Sequence, residues 1–305
     1  MTAQAAEFER HRPRLTGLAY RMLGSAHEAE DVVQDAYVRW HHADPTAVRS
    51  ASAWLAKVVT NLCLNRLTSA RVQREQYVGP WLPEPVLTQD GALTPDDAAV
   101  RGDSVSMAML LLLERLSPRE RAVFVLREAF GYAHTEIAEI LSVSPAACRQ
   151  LHSRALRRVG EAPRRYRPAP EVKRRLVERF LAAARDGDVG SLERMLAADV
   201  TSWSDGGGRA TAARRPISGR AKVCRLVVGF QRKYAPGLRI EVTEVNGEPA
   251  VLGWYGAELA GVMVVEVSGD RIAALRIVAN PDKLGHLSRQ VTHATSQTAE
   301  PPGSS

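Results

Sequence analysis

Four residues in the C-terminal third have the types that a proton-shuttling site needs: Asp205, Glu266, Tyr255 and Trp203. Such a site requires a carboxylate or imidazole buried in an apolar pocket, with a partner that tunes it. Glu266 alternates with Val265 and Val267 and so faces water, and no obvious buried acid pair stands beside the others. The stretch SDGGGR at 204–209 offers backbone amides to an anion, yet it neither follows a clear strand nor opens a helix as a phosphate loop would. It reads as a glycine turn permitting close backbone approach. There is no HExxH, no glycine-rich loop ending in Gly-Lys-Ser/Thr and no Cys/His cluster, so an enzyme, a metal and a cofactor are not expected. Cys63, Cys148 and Cys224 are odd in number, far apart and set in apolar helical patterns, which makes them small core residues.

A different chemistry lies mid-chain. In LSPRERAVFVLREAFGYAHTEIAEILSVSPAACRQLHSRALRRV the pattern is helix, turn, helix, turn, helix. Ser117, Pro118 and Glu120 form a capping-box start. Ile137, Ala138 and Leu141 carry the next helix, SVS is a tight turn, and Ser144 caps a helix opening at Pro145. Cys148, Leu151, Ala155 and Val159 make one apolar stripe, leaving Arg149, Gln150, His152, Ser153, Arg154 and Arg157 outward. A helix pair with an arginine-bearing second helix is the helix-turn-helix arrangement, whose second helix fits the major groove. Its guanidiniums suit phosphates or guanine edges. A solvated basic helix in an ordinary bundle would carry the same pattern. Residues 149–185 hold twelve Lys or Arg against three acids, which favours a polyanionic partner without specifying it.

The elements upstream are helical too. Ala29, Val32, Val33, Ala36, Tyr37 and Trp40 recur at helical spacing, with Glu28, Glu30, Asp31, Gln34 and Asp35 on the other face. After Pro45, Ser50 or Ser52 can cap a helix running from Ala53 into the seventies. Trp54, Leu55, Val58, Val59, Leu62 and Leu67 lie inside it, and Lys57, Asn61, Asn65, Arg66, Arg71 and Arg74 outside. Trp54 shares the apolar stripe, which reads as core rather than as a base platform. From 75 to 100 the chain has five acids, four prolines and no Lys or Arg. Within it YVGPWLPEP, 77–85, combines proline-fixed extension with a large apolar ring, and so is built to lie against something.

Past 170 the chain changes character. Helices around Val172–Leu181, Leu192–Leu196 and Val223–Phe230 are followed by period-two runs: LRIEVTEV, an Asn246-Gly247 hairpin turn, then AGVMVVEV and RIAALRIVA around SGD. That order gives an α+β domain, a sheet wrapped over helices as a cup. At 305 residues, 45% hydrophobic and 25% charged, the chain suggests two or three folded domains. Its 41 Lys and Arg against 34 Asp and Glu leave +7. No secretory pattern or membrane-length apolar run occurs, so a cytoplasmic protein without membrane association is expected. Residues 288–305 lack periodicity and read as a disordered tail.

With these residues laid out, the chain resembles a bacterial sigma factor of the extracytoplasmic-function (ECF) group. AYRMLGSAHEAEDVVQDAYVRW is similar to the segment that docks on the clamp helices of the RNA polymerase large subunit, which implies that role for Glu30, Asp31, Gln34 and Asp35. SASAWLAKVVTNLCLNRLTSARVQRE resembles the helix that reads and helps melt the minus-10 element, implying Asn61, Asn65, Arg66 and Arg71. The helix-turn-helix resembles the minus-35-binding domain, implying Arg149, Gln150, His152, Ser153, Arg154 and Arg157. Residues 172–285 resemble a SnoaL-like domain of the NTF2-like cup fold. WLPEP (Trp81, Leu82, Pro83, Glu84, Pro85), DGGGR (Asp205, Gly206, Gly207, Gly208, Arg209) and NPDKL (Asn280, Pro281, Asp282, Lys283, Leu284) are together similar to the SigJ-like subgroup, with Arg209 where that subgroup's motif ends in Lys.

The resemblance implies a multi-domain chain: two all-α domains, the second a helix-turn-helix, then an α+β NTF2-like cup. The expected bounds are 1–76, a linker 77–103, 104–168, a cup 169–287 and the tail 288–305. It implies core RNA polymerase and promoter DNA as partners, with an unidentified small ligand as a further candidate for the cup. It also implies that WLPEP docks near DGGGR and NPDKL, in competition with threading the polymerase channel. Two other readings remain: a helix-turn-helix regulator with a ligand-sensing cup, and a SnoaL-like cyclase or isomerase fused to a DNA-binding module.

Overall fold

The computed structural model describes residues 2–44, 46, 48–88, 105–160 and 168–298, without the side chains of 70–75 and 294–298. The chain divides into two compact units, one of residues 1–76 with 90–163 and one of residues 77–89 with 164–305.

The first unit is helical. Helix α1 (Ala3–Leu23) has no counterpart among the expected elements. The Thr2 hydroxyl caps it by accepting from the Ala5 amide, and Gly24 at φ 69° ends it. It buries Phe8, Leu15, Leu18, Tyr20, Met22 and Leu23. Helix α2 (Ala26–His41) is capped by Ser25, and α3 (Ala51–Glu75) starts after Ser50, whose hydroxyl accepts from Ala53 N at 3.3 Å. Val32, Val33, Ala36 and Trp40 of α2 and Leu55, Val59, Leu62 and Leu67 of α3 are buried, as the helical period requires. Trp54 is half-buried, its ring 5.5 Å from that of Trp40.

The same unit holds α4 (Met107–Leu113), α5 (Pro118–Phe124) running into a π-helical turn at Val125–Ala129, α6 (His134–Leu141) and α7 (Pro145–Gly160). The capping box at Ser117 and Glu120 forms, and Ser142 takes φ 52° in the turn between α6 and α7. Helix α3 packs on α5 and α6. Three arginines, Arg21 and Arg121 buried and Arg14 half-buried, tie the two halves of the unit. Arg121 of α5 donates to the Met22 carbonyl of α1 at 2.8 Å, to Leu113 O at 3.0 Å and to Glu114 at 2.8 Å. Arg14 donates to Phe130 O at 3.1 Å, and Arg21 lies 5.4 Å over the Phe130 ring. Burial lowers both Arg21 and Arg121 to about 10, which leaves them charged at neutral pH.

The second unit is the expected α+β domain. Helices α8 (Pro170–Asp186), α9 (Val189–Met195) and α10 (Arg220–Tyr234) accompany a six-stranded sheet of β1 (Leu196–Asp205), β2 (Ile217–Ser218), β3 (Arg239–Val245), β4 (Glu248–Tyr255), β5 (Glu258–Ser268) and β6 (Arg271–Val278). Strand order is β2-β1-β6-β5-β4-β3; β1 pairs β6 in parallel and the rest are antiparallel. Register shifts in three of the ladders mark bulges, which bend strands. Leu176, Val177 and Phe180 of α8 meet Val223 and Cys224 of α10 and Val265, Ile272 and Leu275 of the sheet in one core. All three cysteines are buried and free. Phe230, placed by periodicity on the inner stripe of α10, is 46% exposed.

Two expectations need correction. Residues 288–298 are not a disordered tail: α11 (Pro281–Thr298) runs through them, held by buried Leu284, Leu287 and Val291. Residues 299–305 lie outside the described residues. DGGGR does follow a strand, since β1 ends at Asp205; the pattern AADVTSWSD hides it because the buried positions after Val200 are the polar Ser202, Ser204 and Asp205. Of the linker 77–103, residues 77–88 form an extended strap belonging to the second unit, and 89–103 lie outside the described residues.

Candidate functional site

The strap is gripped by one carboxylate. Asp205, at the end of β1, is fully buried and accepts from four donors. Oδ1 takes the Tyr77 hydroxyl at 2.5 Å and Gly207 N at 3.1 Å, while Oδ2 takes Leu82 N at 2.8 Å and Lys283 Nζ at 2.7 Å. Lys283 Nζ also donates to the Leu82 carbonyl at 2.6 Å and lies 4.4 Å over the Trp81 ring and 4.8 Å over Tyr77. Asp205 and Lys283 thus bind both the amide and the carbonyl of Leu82. Burial first, and the adjoining Asp205 carboxylate second, raise the Tyr77 hydroxyl above its ordinary value, so it stays protonated and donates.

Three motifs therefore meet. Asn280 has the place and residue type of an N-cap for α11, with Pro281 first in the helix; its Oδ1 accepts from Asp282 N at 3.2 Å and its Nδ2 donates to the Tyr77 hydroxyl at 2.9 Å. Gly207, at φ 58°, passes so close to Asn280 that an added Cβ would sit 2.3 Å from Nδ2. Arg209 pairs with Asp282 at 2.5 Å, both exposed, so the guanidinium in place of lysine makes a surface pair. Leu82, Pro83, Glu84, Pro85, Val86 and Leu87 are buried, and Trp81 is half-buried. Beyond WLPEP the strap continues as an edge segment. Leu87 bridges Val245, Asn246 N donates to Val86 O at 3.0 Å, Val86 N donates to Asn246 Oδ1 at 3.3 Å, and Leu87 N donates to Gln290 Oε1 at 2.9 Å. Nothing in the sequence pattern singles out Tyr77, Asn246 or Gln290; Asn246 reads simply as a hairpin turn, which it also is, at φ 55°.

As for the acid–base candidates, Asp205 is consumed in this grip. Glu266 does not face open water: it pairs with buried Arg276, whose guanidinium lies 4.7 Å over Trp203. Tyr255 is exposed and donates to Tyr234 O.

On the helical unit, Asn61, Asn65 and Lys57 are exposed on α3. Arg66 is held by two of the acids expected to meet polymerase, Asp31 and Asp35, each at 3.3 Å. Glu30 and Gln34 are exposed on α2, and the Arg71 side chain lies outside the described residues. On α7, Arg149, Gln150, Ser153 and Arg157 are exposed. His152 is not outward: it bonds Glu128 at 3.1 Å and His134 at 3.2 Å. Arg154 and Arg158 both pair with Glu120, whose side chain is 4% exposed. Burial raises the Glu120 carboxyl, but the Ser117 amide and hydroxyl and the two arginines outweigh it, and the net shift is downward. Among the described residues no helix is long and apolar enough to cross a membrane.

A helical unit with two arginine-bearing modules, joined by chain to an α+β domain, defines a class, and comparison with known proteins agrees. Residues 8–72 match Sigma-70 region 2 and residues 106–159 match Sigma-70, region 4. The ECF RNA polymerase sigma factor SigJ of Mycobacterium tuberculosis is 39% identical over 293 residues, covering 92% of this chain and 93% of that one. Its probable ECF RNA polymerase sigma factor SigI is 31% identical over 298 residues, covering 93% and 95%. The crystal structure of the M. tuberculosis SigJ superposes with a TM-score of 0.74 at 36% identity, over 92% of this chain and 98% of that one. The chain belongs to the ECF RNA polymerase sigma factors, which bind core RNA polymerase and promoter DNA to initiate transcription.

Proposed function

We propose that this sigma factor is switched in cis by its strap. Docked on the α+β domain, residues 77–88 are withheld from polymerase; released, they join the linker that threads its nucleic-acid channel. The observation that carries this reading is the buried Asp205–Lys283 pair holding Leu82 by both its amide and its carbonyl. Three further apolar burials, Leu82, Val86 and Leu87, each worth up to about 1.5–3 kcal/mol, favour the docked strap.

In the engaged state Glu30, Asp31, Gln34 and Asp35 meet the clamp helices. Asn61, Asn65, Arg66 and Arg71 read the minus-10 strand, and Arg149, Gln150, Ser153, Arg154 and Arg157 read the minus-35 duplex. The two promoter elements lie about 25 base pairs apart, ~85 Å of duplex. With α3 packed on α5 and α6, the helical unit must open to reach both. Lengthening the free linker by releasing the strap favours that opening.

The test is transcription in vitro from full-length protein and core polymerase. Trp81→Ala and Lys283→Met should raise open-complex formation. Unchanged output from both, with the strap shown to be released, would remove the strap from the mechanism.

A further inference from the structure

We infer that a cavity at the start of the strap binds a small phosphorylated ligand. The cavity, about 410 Å³, has Val78 and Gly79 of the strap as one wall and Ser204 with the loop from Gly206 to Arg214 as the other. Its polar side chains are hydroxyls and guanidiniums. Ser204 is only 6% exposed, and its hydroxyl has no hydrogen-bond partner among the described residues. The Thr211 hydroxyl and the exposed Arg214 guanidinium likewise have none. Arg209 also lines the cavity, with its guanidinium paired to Asp282, which is not itself part of the lining. No acidic side chain lines the space.

These groups select the ligand's chemistry. A cation would meet the Arg214 guanidinium, and a purely apolar ligand would cover the Ser204 hydroxyl without offering it a partner. A neutral sugar would satisfy the hydroxyls and leave the Arg214 guanidinium idle. A phosphate ester supplies several acceptor oxygens and the charge that arginine recognises in paired geometry. A bare phosphate would fill only part of the volume, which is in the range of small-ligand pockets. The alanines of the loop and Val78 offer apolar surface to an organic group.

Because the strap supplies one wall, a bound ligand touches strap and sheet together and slows release of the strap; this consequence, unlike the binding itself, rests on the switch proposed above.

The experiment is titration calorimetry on the full-length chain with inorganic phosphate, glucose 6-phosphate and AMP in separate runs. At least one of the two esters should bind more tightly than inorganic phosphate, and which one does distinguishes a sugar phosphate from a nucleotide. Arg214→Gln should weaken that binding about tenfold, as expected for loss of one charge-assisted contact, and Ser204→Ala should weaken it several-fold. The inference is overturned if neither ester binds, if binding survives both substitutions, or if it is lost instead with Arg154→Ala and Arg157→Ala, which would place it on α7. Hydrogen exchange at Leu82 and Val86 reads the consequence. Slowing by the bound ester supports it, and unchanged exchange overturns the coupling while leaving the site. If Trp81→Ala and Lys283→Met both release the strap and leave transcription unaltered, while the wild-type chain shows Arg214-dependent binding, the switch falls and the ligand site stands.

Discussion

Replacing Lys283 by Met keeps much of the side-chain volume and removes one charge from the strap's anchor. Lys283 is 8% exposed and Asp205 fully buried, so the pair is dry. Breaking such a pair by deleting one partner costs ~3–5 kcal/mol, because a carboxylate is left buried without its counter-charge. Asp205 keeps three donors, from Tyr77, Leu82 and Gly207, which puts the cost at the low end, about 3 kcal/mol. Undocking the strap rehydrates Asp205, so the penalty falls on the docked state and is relieved in the released one. The docking equilibrium should therefore shift by about a hundredfold toward release. Hydrogen exchange of the Leu82 and Val86 amides measures it directly, because both amides bond only within the docked arrangement. A double-mutant cycle with Asp205→Asn separates the pair from its surroundings: the double variant should cost at least about 1 kcal/mol less than the sum of the single ones. Wild-type exchange rates in Lys283→Met, or strictly additive costs, would refute the reasoning.

Gly207→Ala should release the strap without touching any charge, since the residue would be forced to φ 58° with its methyl against Asn280; strap exchange and Trp81 fluorescence check it. Glu120, whose carboxyl sits below its ordinary value, contributes stability that is complete above the unfolded carboxylate range of about 4.3 and is lost as pH falls through the lower folded value. Glu120→Gln should flatten that acid limb of the helical unit's thermal unfolding, and an unchanged profile would exclude the residue as its source. Arg157→Ala should weaken minus-35 duplex binding by about 1–3 kcal/mol if the guanidinium reads a base, or lower the salt slope by about one if it meets phosphate, as measured by binding at several salt concentrations. Asp31→Asn together with Asp35→Asn frees Arg66; minus-10 strand binding by the variant should strengthen modestly while core polymerase binding weakens, since exposed pairs are worth under about 1 kcal/mol.

Much of the helical unit was legible from local pattern. A stripe at Cys148, Leu151 and Ala155, a cap at Ser144 and a capping box at Ser117 and Glu120 are written within a few residues of one another, and helices depend on such local terms. Helix α1 is masked by Pro13, a residue that ordinarily interrupts a helix interior, although Phe8, Leu15 and Leu18 share its buried face. Strand β1 escaped because the positions it buries after Val200 are Ser202, Ser204 and Asp205, so its alternation of burial is not an alternation of apolar residues. WLPEP, DGGGR and NPDKL were visible as motifs. That Tyr77 joins them was not, because its hydroxyl acquires meaning only beside Asp205, 128 residues away.

By itself the sequence determined the classes of element, the arginine-bearing face of α7 and the presence of a strap built to bury itself, since periodicity, capping and proline act over short range. Tertiary structure alone decided which charges are spent within the molecule. It turned His152 inward to Glu128, gave Arg154 and Arg158 to Glu120 and Arg66 to α2, and closed Asp205 and Lys283 around Leu82. Whether a charge is spent or available depends on partners brought together across long stretches of chain and on the water that folding removes between them, and neither is encoded in any short run of residues.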